Sequence, residues 1–412
     1  MFKRRSKQVI ENGNLLLFIF IFSIMFSFKI DGFNMRYFVI IFWLFYTIPR
    51  IRKIKLNTTL LIFPISLYII IMYSLLLVGL LDTQNSFEVL RSSRAILTYF
   101  IILFFFSTHN YSLTQVMNVV LAVLITHALS ILIGIVFPPF KNIILPISQY
   151  SIEFMRIRSS GLLSGYDDAG FLCNIGLLLV LIKNTFLKTK LVDRNALIFI
   201  SSVIFTSRVN IVVMGLVLSI VFVVNLLKMN IKGLLNISKY LIVIGLFSLV
   251  VLSLSTNFGY ELRYTLLNYF PDLSRVMSLM EGSYTDYGIH SGVISRHLSL
   301  SELSLNQIIF GAGLRKTNSD VGYIKTIFSI GIIGIIIQVM TYLRAIISVN
   351  NERKSGRNND VLSIVSIVYV IAIILMFLME LKISIISSST TFEMLSVLYI
   401  SIIRNKDVSW QA

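Results

Sequence analysis

Charge is what this chain has least of. Asp, Glu, Lys and Arg supply 13% of its 412 residues while 56% are hydrophobic, and the mean hydropathy is +0.85. A soluble chain of this length needs far more charge to keep its surface wet. Cysteine is down to one, Cys173, inside an apolar run, which excludes a disulfide framework and a cysteine zinc site. The four histidines (His109, His127, His290 and His297) include no His-Glu-x-x-His pair, so no metal is expected. The chain also lacks a linker, a polar stretch large enough to fold alone, and the matched Gly- or Pro-broken helices that mark the two halves of many transporters. Pro64 is read as interrupting the third apolar run, and nothing later mirrors it.

What the chain has is apolar sequence, in runs near the ~20 residues a bilayer crossing needs. Spans are expected at about 14–30, 33–49, 59–80, 95–107, 115–137, 169–183, 195–207, 210–227, 240–255, 322–348, 361–379 and 383–403. The first follows Lys3, Arg4, Arg5 and Lys7 without a small-x-small cleavage site, so it reads as a retained signal anchor. The expected fold is an all-α integral membrane bundle of about twelve transmembrane helices, one domain over 1–412, with one large extracytoplasmic loop at 256–321.

Cations test this map independently, because Lys and Arg accumulate on the cytoplasmic side. Beyond the N-terminus, they cluster at Arg50 to Lys55, Lys183 to Arg194, Lys228 to Lys239 and Arg344 to Arg357. Each cluster falls on an even-numbered connection, so both termini are expected on the cytoplasmic side of the bacterial cytoplasmic membrane. The formal charge of +17 is therefore spread as topology signals are, and no nucleic-acid partner is expected.

The odd-numbered connections carry the polar groups of interest. The fifth opens with Pro138-Pro139, which ends the preceding helix, and runs to MRIRSSGLLSGYDDAGF. Asp167 and Asp168, just before the next span, read either as a helix-end cap facing the macrodipole or as hydrogen-bond partners of a sugar hydroxyl. Arg158, with Arg156 before it, reads either as a headgroup contact or as a binder of a lipid-linked phosphate. Arg208, in the short turn Thr206-Ser207-Arg208-Val209-Asn210, needs a partner at the membrane edge. That partner is either an acid such as Asp167 or Asp168, or a bound anion.

The ninth connection is too long for a mere connector. It holds His290, Arg296-His297 and the Gly311-Ala312-Gly313 turn, where backbone can approach a ligand. Were 295–308 helical, Arg296 and Leu300 would share a face. A loop histidine is a solvated residue or a base. Within the spans, Glu393 and His127 are ionisable and so are functional candidates or internally bonded groups.

In order, these motifs resemble a known family: Arg158 with Gly161, Thr206-Ser207-Arg208, Ser295-Arg296, Asn306 to Gly313, then Ser319 to Tyr323 leading into Ile330-Gly331-Ile332-Ile333-Gly334. Over about 155–335 the chain is similar to the bacterial O-antigen polymerase and O-antigen ligase superfamily. The resemblance implies a membrane glycosyltransferase acting on glycans carried by undecaprenyl pyrophosphate, among membrane lipids, with chain-length regulator and flippase proteins as partners. It implies that Arg158 and Arg296 stabilise the departing diphosphate, because guanidinium groups are permanently charged and fork onto two oxygens. Arg208, Arg156, Asp167, His290, Gly311 and Gly313 would bind substrate, and His297 or Asp168 would serve as base. Diphosphate is already a good leaving group, so neither metal nor cofactor is implied. A polymerase is the first expectation; a ligase shares its donor chemistry, and a transporter or lipid-linked-sugar flippase is the rival of another class.

Overall fold

The structure, a computed structural model, describes residues 2–26, 29–30, 33–50, 58–81, 87–137, 139–140, 143–144, 159–163, 165–187, 193–235, 237–240, 242, 300, 302–313, 319, 321–356, 359–382, 384–386 and 388–409. These residues are helical except for turns and one short antiparallel strand pair, Lys29–Ile30 with Phe33–Asn34. In chain order the helices are α1 (Phe2–Met25), α2 (Arg36–Thr47), α3 (Ile62–Leu81), α4 (Phe87–Thr108), α5 (Leu113–Val136), α6 (Tyr166–Leu187), α7 (Arg194–Ile204), α8 (Arg208–Leu227), α9 (Leu305–Phe310), α10 (Gly322–Ser355), α11 (Asp360–Met379) and α12 (Ser389–Ser409). Among the described residues seven helices are long and apolar enough to cross a membrane: α3, α4, α5, α6, α8, α10 and α11. Large apolar side chains stay exposed along them, among them Ile65, Tyr68 and Leu76 on α3. A face of that kind is stable against lipid and not against water. This is a helical membrane protein.

Several expected boundaries shift for physical reasons. Pro64 does not interrupt a helix: it is the third residue of α3, in the first turn, where a missing N–H leaves no bond unmade. The helix expected from 95 begins at Phe87, because Glu88 and Arg91 pair at i,i+3 and carry the helix past its apolar part. The segment 295–308 is not one helix. Leu303 and Ser304 are irregular, and Ser304 caps α9 through a reciprocal box with Gln307. Beyond Tyr240 and Ile242, the span expected at 240–255 lies outside the described residues, as does most of the loop expected at 256–321.

The residues fall into two compact units: Met1–Ser27, Met35–Val120 and Ser291–Ala412 form the first, and Phe28–Asn34 with Leu121–His290 the second. In the first, α4 packs against α2, α3 and α12, while α10, α11 and α12 pack on one another. Phe20 stacks on Phe105 with ring centroids 3.6 Å apart, and Trp43 meets both edge-on. Tyr99 and Tyr399 each donate at 2.7 Å to the carbonyls of Leu60 and Thr59, fastening the turn that opens α3.

The first unit also contains a broken helix. Gly331 has φ 65° and ψ −173°, dividing α10 into two helical pieces. A Cβ there would lie 2.3 Å from the carbonyl oxygen of Ile309, and one on Gly311 would lie 2.7 Å from the Gly331 nitrogen. Only two glycines allow these backbones to meet. The break frees the Phe328 carbonyl, which accepts from Ala312 N at 3.0 Å, so that carbonyl is not left to the lipid.

In the second unit α6 packs against α7 and α8 and is apolar nearly all round. That is the pattern of a helix enclosed by others. Asp193 caps α7 by accepting from Asn195 N at 2.9 Å.

Candidate functional site

The second unit gathers three of the motifs singled out in sequence. Ser159 and Ser160, which follow Arg158, are buried. The Ser159 N–H donates to the Phe205 carbonyl at 3.1 Å, and its hydroxyl donates to the Ile131 carbonyl at 3.3 Å. Gly161 follows with φ 55°, and a Cβ on it would lie 2.6 Å from Ser130 Oγ. Leu162 N donates to His127 Nδ1 at 3.4 Å. His127, fully buried in α5, thus helps hold this segment in place.

Phe205 leads into the second motif. Ser207 is the N-cap of α8, accepting from the backbone N–H of Asn210 at 3.4 Å and from its side-chain amide at 2.8 Å. The same amide donates to the Asp167 carbonyl at 2.9 Å, while Asn174 Nδ2 donates to the Asn210 carbonyl at 3.0 Å. Asn210 therefore brackets the start of α8 to the start of α6. Asp167 and Asp168 occupy the first turn of α6, where carboxylates meet the positive end of the macrodipole. The N-termini of α6 and α8 thus meet at one end of the unit. Arg208 is the first residue of α8, the end of a helix where a cation is least favoured.

Arg156, Arg158, His290, Arg296 and His297 lie outside the described residues, and for Arg208 only the backbone is described. Gly311 and Gly313 belong to the first unit, with φ of 91° and 64°. The close approach that Gly311 permits is to the backbone of α10 at Gly331.

Glu393, also in the first unit, is ion-paired with Arg36 at 3.0 Å, the two side chains 2% and 5% exposed. Arg36 also donates to Ser389 Oγ. Beside this pair is a cavity of about 620 Å³, its open mouth included, whose lining takes in Arg91, Arg94, Ser92, Gln338, Ser389 and Glu393. A second carboxylate, Glu380, accepts from the N–H groups of Ile385 and Ile386 at 2.7 and 2.8 Å, and its carbonyl accepts from Gly322 N at 3.0 Å. It ties the α11–α12 connection to the start of α10.

Sequence reasoning missed Asn174, Asn210, Arg36, Arg91, Arg94 and Glu380. For two of them a signal existed. Glu88, Arg91 and Arg94 recur every third residue ahead of an apolar run, which is the spacing of one helical face. The asparagines are single polar residues in apolar helices, and their partners are 36 positions apart.

The second unit thus offers two helix N-termini, a buried Ser-Ser-Gly segment and an Asn bracket, a scaffold whose chemistry suits an anion. No family model, curated protein or solved structure matches this chain, so its function is read from its own residues.

Proposed function

We propose that this protein is a membrane glycosyltransferase that polymerises oligosaccharide repeat units carried by undecaprenyl pyrophosphate. The observation that supports it is the bond from Ser159 N–H to the Phe205 carbonyl at 3.1 Å. Residues adjoining Arg158 are held against the turn that ends in Arg208, and Asn210 ties that turn to the Asp167-Asp168 pair. A cation at the first position of α8 costs on the order of 0.3–1 kcal/mol, which a bound diphosphate offsets. Under this reading Arg158 and Arg296 stabilise charge as it develops on the diphosphate, with Arg208 beside them. Asp168 or His297 takes the proton of the acceptor hydroxyl.

The proposed setting is the bacterial cytoplasmic membrane, with twelve spans in one domain, both termini inside and the 256–321 loop outside. Accessibility of single cysteines introduced at Asn57 and Asn268 tests the orientation: labelling from outside at Asn57 refutes it.

The decisive assay supplies purified protein with defined lipid-linked repeat units and looks for a product ladder. Arg158→Ala or Arg296→Ala is expected to lower the rate about 100-fold, the scale of losing one preorganised donor. Lys in their place should rescue poorly, because it lacks the planar fork. Full activity in both alanine variants removes the electrostatic reading. A ligase would instead leave long unattached polymer when the protein is deleted.

A transporter or lipid-linked-sugar flippase is a second reading, favoured by the Arg36–Glu393 pair inside the bundle and the break in α10. Movement of lipid-linked sugar across proteoliposomes without elongation would select it.

A further inference from the structure

The cavity of the first unit is lined by polar groups that the fold does not use. Among the described residues, the guanidinium of Arg94 makes no hydrogen bond or ion pair, although Arg36, Arg91 and Glu393 all act on it electrostatically. The amide of Gln338, 7% exposed, has no hydrogen-bond partner among them either, and Ser92 Oγ, on a residue 1% exposed, is likewise unpartnered. Buried polar groups left unmade are costly, by about 1–3 kcal/mol each. Ser92 Oγ is such a group, and the Gln338 amide and the partly exposed Arg94 guanidinium converge with it on one hollow, where a ligand or ordered water completes them.

Charge narrows the class of ligand. Glu393 is matched by Arg36 at 3.0 Å and Arg91 by Glu88 at 2.6 Å. The two pairs cancel, and Arg94 remains as one uncompensated cation. The rest of the wall mixes apolar and aromatic side chains, Phe63, Tyr342 and Phe392 among them, with hydroxyls such as those of Ser66, Thr98 and Thr341.

We infer that this cavity binds a singly charged oxyanion bearing neutral hydroxyl groups, with Arg94 holding the anion and Gln338 and Ser92 bonding its neighbours. Two sources share that chemistry: the carboxylate of a sugar acid and the phosphodiester headgroup of a hydroxylated lipid. A diphosphate carries more charge than Arg94 can balance. The inference rests on the interior of the first unit and is independent of the proposed polymerase activity.

The test titrates the purified full-length chain, in zwitterionic detergent, with glucuronate, with phosphatidylglycerol in mixed micelles, and with inorganic diphosphate. Thermal unfolding is followed by tryptophan fluorescence. Glucuronate or phosphatidylglycerol is expected to raise the unfolding midpoint of the wild type and of Arg344→Gln, which removes an exposed cation elsewhere on α10. Which of the two acts names the source. Arg94→Gln should need roughly 10- to 100-fold more ligand for the same shift, the scale of a lost charge-assisted hydrogen bond. Gln338→Leu keeps every charge, should weaken binding about 3- to 10-fold, and decides the matter if Arg94→Gln does not fold. The inference is overturned if neither monoanion shifts the wild type, if the folded variants titrate as the wild type does, or if diphosphate binds more tightly than both.

Discussion

Removing Glu393 while leaving Arg36 in place should be among the most damaging single changes in the first unit. The two are paired at 3.0 Å with side chains 2% and 5% exposed. Breaking a buried pair from one side costs about 3–5 kcal/mol, because the remaining charge is stranded. Glu393→Leu belongs at the upper end of that range. It strands Arg36 beside Arg94, whose charge already acts on both, and a guanidinium cannot shed its proton to escape. Arg36→Met should cost less, since Arg94 remains to face the carboxylate. The double variant Arg36→Met/Glu393→Leu should recover most of the loss, because replacing both charges with apolar side chains is often neutral or stabilising by about 1–4 kcal/mol. Denaturant unfolding of the detergent-solubilised protein measures all four corners of this cycle. Trp43, 2% exposed on α2 alongside Arg36, gives the signal. The reasoning fails if Glu393→Leu costs under about 1 kcal/mol, or if the double variant is no more stable than either single.

Other outcomes follow from the same structure. Gly331→Ala should destabilise by roughly 3 kcal/mol or more, combining a glycine-only conformation with a Cβ 2.3 Å from the Ile309 oxygen. Gly79→Ala, with open space around it, should be neutral or slightly stabilising; unfolding midpoints compare the two. Asn210→Leu, which removes the amide's bonds to the Asp167 carbonyl and the Ser207 hydroxyl, should cost about 1–3 kcal/mol, and under the proposed function should also lower ladder formation. His109, between α4 and α5, is half-buried against Phe105, Tyr46 and Tyr111. Burial pulls its pKa below the usual 6.5, and the nearby Arg50 charge adds to this. Its folded pKa lies below its unfolded one, so its contribution is present above about pH 6.5 and is lost as pH falls through the folded value. His109→Gln should flatten the decline in unfolding midpoint between pH 7.5 and 5.

The membrane character of this protein was legible in its sequence, and so was the position of most helices. Inside lipid every backbone N–H and C=O must be satisfied within its own segment. A run of about 20 apolar residues therefore dictates a helix wherever its neighbours lie. The caps at Ser207, Ser304 and Asn359 are local as well, but they were not picked out in the sequence. What sequence could not convey was which polar residues meet. Arg36 finds Glu393 from 357 positions away and Ser159 finds Phe205 from 46, and nothing local marks either partner. The start of α4 was missed because an ion pair one turn apart lets a helix outrun its apolar stretch. The Gly311-Ala312-Gly313 turn looked like a place for ligand to approach, yet at Gly311 the neighbour is another backbone, at Gly331. Hydropathy is a property of each segment and is written in that segment. Charge pairing and close backbone contact are properties of two segments at once, and only packing brings the second one to the first.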